Sequence, residues 1–356
     1  MSALRWANAQ ADAIAVLAAA LVVPGSEFVA RHVRTPTLEE EVVAGVPTTV
    51  VRPSSKPPWP ALVFANGATR EGRRHRIVRR LAWGLGWGGY LLYVPDLPGV
   101  AAGEVTEESL RATIAVAAHA AGSPEARDGR VGLAGVSTGA TLSLLAASSA
   151  QVAERVSVVA AVAPFADLGK VIMLATTGVY RGEGGLERYS APPYLLVAVT
   201  RSLAATLPPS PPRERLCAEL QALAGDAADP LAPFGRQGDA LGPEGAAIRS
   251  LLANRDPDRF DGLYAGLPEA TRQAVEALSP VRTVAGLRAP AEIVTPPRDK
   301  YFPIDEAAAL ARAAPRARLT ITGILSHATP KFSPSKALDL ARLDGFIVRS
   351  LAATRS

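Results

Sequence analysis

A chain of 356 residues is long enough for one α/β core of about 200 to 250 residues that carries an insertion. Hydrophobic residues make up 48% and aromatics only 5%, so the core is aliphatic and small in character, and a disordered chain is excluded. The net charge of +5 comes without aromatic side chains interleaved among the basic ones, which gives no nucleic-acid surface, and the single cysteine, Cys217, rules out an intrachain disulfide and argues against a cysteine-ligated metal.

Residues 13–23 are an unbroken apolar run, preceded by Arg5 and Asp12 and stopped by Pro24 and Gly25, too short to span a bilayer as a helix. Residues 1–30 are therefore expected to hold an N-terminal apolar helix, either packed on the main domain or lying on a membrane surface, with some signal-peptide character; a cytoplasmic location is the working expectation. Residues 40–51 alternate as a hairpin turning at Ala44 and Gly45. Continuous apolar runs follow at 61–65, 90–94, 130–134 and 156–162, the pattern of a parallel sheet covered on both faces. Helices are predicted between them at 73–85 and 107–121, the second capped by Thr106, and the arginines of segment 70–80 read as a solvated helix face. Regular alternation of strand and helix predicts a doubly wound, mostly parallel α/β sheet with right-handed crossovers.

That regularity stops after Pro164. Helix-like pieces at 194–207, 213–223, 243–254 and 268–278, without strand alternation, predict a helical cap over residues 167–289, inserted after the sixth core strand between core segments 31–166 and 290–356. The core resumes with a strand at 291–295, a helix at 305–313, a strand at 318–322 and a last helix at 334–351.

The chemistry is concentrated at the strand ends. Gly135-Val136-Ser137-Thr138-Gly139 lies where the run 130–134 gives way to a small-residue helix, and the two glycines are what a sharp strand-to-helix turn needs to lift a serine out of the sheet. A serine hydroxyl needs a base, and the base needs a third group to fix its tautomer. Of the four histidines, His32, His75 and His119 lie upstream of the turn, whereas His327 follows the last core strand, at the carboxyl end where α/β sites form. Asp299, after the strand at 291–295, is the favoured orienting acid; Asp167, after the strand at 156–162, is its rival, and Asp96 reads as a loop-structuring residue. Gly84, Gly86 and Gly89 close a helix and precede a strand, the reverse of a dinucleotide fingerprint, and no Walker or His-Glu-x-x-His sequence occurs.

These residues resemble the α/β-hydrolase superfamily: the elbow at Ser137, the order serine, aspartate, histidine along the chain, Pro303 four residues after Asp299, and Pro95-Asp96-Leu97-Pro98-Gly99 as its Asp-x-x-Gly turn. The resemblance implies Ser137 as nucleophile, His327 as general base and acid, Asp299 as its orienter, and backbone N–H donors at Thr138 and Ala68 for the oxyanion. One departure from the superfamily is Asn66-Gly67 where many members carry His-Gly. The activity implied is hydrolysis of carboxylic esters with apolar acyl groups, of the carboxylesterase kind, through an acyl-enzyme, without cofactor or metal. The cap would form the acyl pocket, with Leu195 and Leu196 in the most apolar of its helices. A peptidase, thioesterase or acyltransferase would use the same triad, and a catalytically inactive ligand-binding protein would keep the same fold. The partner is then a small ester or acyl substrate, and neither the substrate nor the oligomeric state is legible.

Overall fold

The computed structural model describes residues 10–13, 35–330 and 334–356. Most of the predicted N-terminal helix, with His32, lies outside these residues; residues 10–13 are helical, and Asp12 pairs with Arg355 at 2.6 Å. No helix among the described residues is long and apolar enough to cross a membrane.

An eight-stranded sheet organises the chain. Strands β1 (Thr37–Val43) and β2 (Val46–Arg52) form the predicted hairpin, and its two-residue turn takes φ of 50° at Ala44 and 82° at Gly45, the left-handed pair that matches strand twist. Next come β3 (Trp59–Ala65), α1 (Arg76–Trp87), β4 (Leu91–Pro95), α2 (Glu107–Gly122), β5 (Ala126–Val136), α3 (Thr138–Ala147) and β6 (Val156–Val162). Thr106 caps α2 in a reciprocal box with Ser109. After the insertion follow β9 (Ala291–Thr295), α11 (Ile304–Ala313), β10 (Ala317–Ile321), the short pair β11 (Leu325–Ser326) and β12 (Thr329–Pro330), and α12 (Ala337–Thr354).

The strand order is β1-β2-β4-β3-β5-β6-β9-β10, antiparallel through β1, β2 and β4 and parallel from β4 to β10. This is a doubly wound α/β-hydrolase sheet. The central strands β3 and β4 are buried along their whole length because helices cover both faces. On one face α2, α3 and α11 pack through Val116, Leu144 and Leu310; on the other α1 and α12 pack through Val78, Leu85 and Leu351.

Between β6 and β9 the chain forms α4 (Leu168–Thr177), the hairpin β7 (Val179–Gly182) and β8 (Gly185–Arg188), then α5 (Pro193–Ala204), α6 (Pro211–Ala222), α7 (Ala232–Gln237), α8 (Gly242–Ala253), α9 (Pro257–Ala265) and α10 (Glu269–Ala277). The hairpin departs from the all-helical expectation. Every residue of β8 is exposed, so no buried face imposed a period of two on its sequence. The arginine-rich segment also differs from expectation: its α-helix starts only at Arg76, after a 3₁₀ turn over Gly72–Arg74, and Arg73 is buried. The Arg73 guanidinium pairs with Asp96 and, at 2.6 Å, with Glu40, while the backbone N–H of Arg73 donates to Asp96 Oδ1 at 3.0 Å. Asp96 thus ties the loop after β4 to the segment after β3.

Candidate active site

Ser137 stands between β5 and α3 with φ 53° and ψ −122°, a conformation that costs a non-glycine residue about 1–3 kcal/mol and persists only where its surroundings enforce it. The flanking glycines supply that enforcement. A Cβ at position 135 would stand 2.4 Å from the carbonyl carbon of Gly139, and one at position 139 would stand 2.1 Å from the carbonyl oxygen of Ala65. The backbone N–H of Ser137 donates to Val162 O at 2.8 Å, which pins the turn to the neighbouring strand. Every residue of α3 is buried, so the helix behind the serine is a fixed wedge rather than a surface helix.

His327 is presented by a second tight turn. Ser326 pairs with Thr329, leaving His327 and Ala328 as the two turn residues, and His327 has φ 56°. Its Nδ1 lies 2.8 Å from Asp299 Oδ2 and 2.9 Å from Oδ1. With a carboxylate as partner, Nδ1 carries the proton and donates, which leaves Nε2 as the acceptor. Asp299 is itself fixed, because Oδ1 accepts from the N–H groups of Tyr301 at 2.7 Å and Phe302 at 3.3 Å, and the Tyr189 hydroxyl donates to its backbone carbonyl. Burial pushes the Tyr189 phenol up to about 12, so it stays protonated and keeps donating at neutral pH. The imidazole is boxed by the rings of Tyr301 and Phe302, edge-on at centroid distances of 4.6 and 5.8 Å.

The rival acid has another task. Asp167 caps α4, its carboxylate accepting from Gly169 N at 2.8 Å and Lys170 N at 3.3 Å.

Ser137, Thr138, Ala68 and His327 line one cavity of about 560 Å³. The loop after β3 presses on the elbow: a Cβ at Gly67 would stand 3.0 Å from Val136 O and 3.3 Å from Ser137 Cβ. Asn66, which also lines the cavity, donates its amide to Thr69 Oγ1 and Gly72 O and so shapes the loop. From the insertion, Leu168 and Val171 of α4 and Leu195, Ala198 and Val199 of α5 form an aliphatic wall. Leu195 therefore lines the cavity and is also a buried member of the hydrophobic cluster that joins the insertion to the core, whereas Leu196, half-buried, packs against that cluster without lining the cavity. Asp299 lies behind His327, outside the lining. His75, which sequence reasoning set aside, lines the cavity, as do Tyr194, Lys300, Tyr301 and Phe302. The last three had a signal in their adjacency to Asp299 and Tyr194 had one in opening the apolar cap helix predicted at 194–207, whereas His75 had none. No aspartate or glutamate lines the cavity among the described residues, and no cluster of residues there has the make-up of a metal site.

A hydroxyl on a strained turn, an imidazole with its far nitrogen held by a buried carboxylate, and backbone amides at a helix start are together able to carry out acyl transfer. Residues 44–234 match the model of the family described as X-Pro dipeptidyl-peptidase (S15 family). Among curated proteins none matches the chain. Among solved structures it is similar to Porphyromonas gingivalis dipeptidyl peptidase 4, with 12% identity over 88% of this chain and 35% of that one and a TM-score of 0.48. It is also similar to Pyrococcus horikoshii acylaminoacyl peptidase, with 10% identity over 84% of this chain and 39% of that one and a TM-score of 0.49. A meta-cleavage product hydrolase from Pseudomonas fluorescens shares 15% identity over 88% of this chain and 96% of its own, with a TM-score of 0.42. The chain thus spans little more than a third of the length of the two peptidases.

Proposed function

We propose that this chain, which belongs to the X-Pro dipeptidyl-peptidase (S15) family of α/β-fold serine hydrolases, cleaves carboxylic esters with apolar acyl groups through an acyl-enzyme on Ser137. In this reading Ser137 Oγ attacks the acyl carbon while its proton passes to His327 Nε2. The N–H groups of Ala68 and Thr138 take the oxyanion, and the imidazolium that forms is stabilised by Asp299. Collapse breaks the bond to the leaving oxygen, which takes the proton from His327. Water, deprotonated by the same imidazole, then releases the acid and restores the serine. The insertion, residues 167–289, acts as the cap that walls the acyl site.

The observation that carries the reading is the meeting in one cavity of the strained Ser137 and an imidazole whose Nδ1 is held by a buried carboxylate. Preference for an ester rests on the cavity wall. Leu168, Val171, Leu195, Ala198 and Val199 make that wall aliphatic, which suits an apolar acyl chain. Family membership favours a second reading, cleavage after a proline in a peptide. Two measurements test these. A fluorophosphonate probe should label the wild type and not Ser137→Ala, with loss of nearly all turnover in that variant. Hydrolysis of p-nitrophenyl butanoate should exceed that of an X-Pro p-nitroanilide; the opposite ranking replaces the ester reading with the peptide one.

A further inference from the structure

The charge inventory of the cavity is one-sided. Its lining contains no carboxylate among the described residues, and apart from the two histidines its one basic side chain is Lys300. Lys300 directly follows Asp299, is exposed, and makes no ion pair or hydrogen bond among the described residues. Its Nζ lies 4.8 Å from the centroid of the Tyr301 ring, and that ring stands 4.6 Å from the imidazole of His327. The ammonium is therefore held over an aromatic face one ring away from the group that would hand a proton to the leaving oxygen. Because Lys300 is exposed, its pull on an anionic group is modest and falls with added salt.

Resting on the ester reading above, we infer that Lys300 is a specificity-determining residue: the substrate carries a carboxylate on its alcohol portion, which pairs with the Lys300 ammonium as the leaving group departs beside His327. The alcohol side is assigned because the Lys300 ammonium lies over the Tyr301 ring, next to the imidazole that passes the proton to the leaving oxygen. The same charge disfavours a substrate with a free amine near the scissile bond.

The test compares 3-(butanoyloxy)benzoate with phenyl butanoate on the wild type, Lys300→Gln and Lys300→Glu. The wild type should prefer the carboxylate ester by about fivefold in kcat/KM at low salt, with the preference shrinking as ionic strength rises. Lys300→Gln should bring the ratio to that of the esters' reactivity toward hydroxide, and Lys300→Glu should reverse it. A ratio that is the same in wild type and Lys300→Gln overturns the assignment while leaving ester hydrolysis intact. Turnover of neither ester alongside rapid cleavage of an X-Pro anilide removes the ester reading, and with it this assignment, since an amine-bearing substrate would then be the one selected.

Discussion

The two sides of the cavity are held by different physics. On the sheet side, Ser137 and His327 both sit at positive φ, Gly135 and Gly139 are in backbone contact, and Asp299 is fixed by two amides and the imidazole. Backbone geometry and buried polar contacts determine where each atom stands, and little can be exchanged. On the insertion side, Leu168, Val171, Leu195 and Val199 are aliphatic side chains of α4 and α5 held by packing, which tolerates exchange of similar volumes. Strain and hydrogen bonds set the chemistry, and packing sets the shape. Substitutions on the first side should abolish turnover; those on the second should change which substrate is turned over.

The largest expected effect separates the two acids at the strand ends. Asp299→Asn leaves Nδ1 facing an amide that no longer enforces the tautomer, and kcat should fall on the order of 10⁴-fold. Asp167→Asn keeps an acceptor at the N-cap of α4 and should change kcat far less. Steady-state rates on one ester decide this, and the reverse ranking would transfer the orienting role to Asp167.

Gly139→Ala probes the backbone contact itself. The added methyl would stand 2.1 Å from Ala65 O, an approach that real side chains do not make, so β3 and α3 must separate. We expect a loss of about 3 kcal/mol in denaturant unfolding together with slower fluorophosphonate labelling. Unchanged stability would mean that the elbow is looser than its glycine spacing implies.

A third carboxylate joins the two sides. Glu306, in the first turn of α11, is almost wholly buried and accepts from Ala166 N, from Asp167 N at 2.9 Å and from the Tyr180 hydroxyl at 2.6 Å, tying the helix that follows Asp299 to the start of the insertion. Burial raises its pKa above the ordinary 4.5, outweighing the three hydrogen bonds that favour the charged form. A raised carboxyl binds its proton more tightly when folded, so its contribution is fully present below about 4.5 and is lost as the pH climbs through the raised value. Glu306→Gln keeps the amide acceptor and cannot ionise. The wild-type Tm should therefore fall relative to the variant as the pH rises above that point; parallel Tm curves would contradict the shift.

The same division governs what the sequence made legible. Residues fixed by local backbone rules could be read: the glycine spacing around Ser137, the Ala44–Gly45 turn, the Thr106 cap, and Asp299 and His327 at strand ends. Asp167 was readable too, since an aspartate just before an apolar helix is a capping signal, yet it competed with Asp299 because α4 itself was not recognised. What depended on tertiary contact was hidden. Arg73 looked like one more solvated arginine until Asp96 and Glu40 closed on it, and the β7–β8 hairpin has an exposed strand with no alternation to read. His75 meets the cavity from the N-cap of α1, a placement that its arginine-rich surroundings do not signal.

The smallest effect is expected where packing alone operates. Leu195 is a buried member of the hydrophobic cluster that joins the insertion to the core, and Leu196 packs against that cluster, but only Leu195 lines the cavity, so adjacent residues of one helix test the acyl-wall idea with composition held constant. Leu195→Ala removes apolar wall and opens space beside the acyl chain. Each substrate methylene that fills the space should recover about 0.8 kcal/mol, roughly fourfold in kcat/KM. The optimum along a series of p-nitrophenyl esters from acetate to octanoate should therefore shift to longer chains in Leu195→Ala. Leu196→Ala should lose stability through the cavity it leaves in the cluster but keep the wild-type chain-length profile. If the two variants give the same profile, the wall formed by α5 does not contact the acyl chain, and the substrate lies along the other lining of the cavity, against α1 and α12.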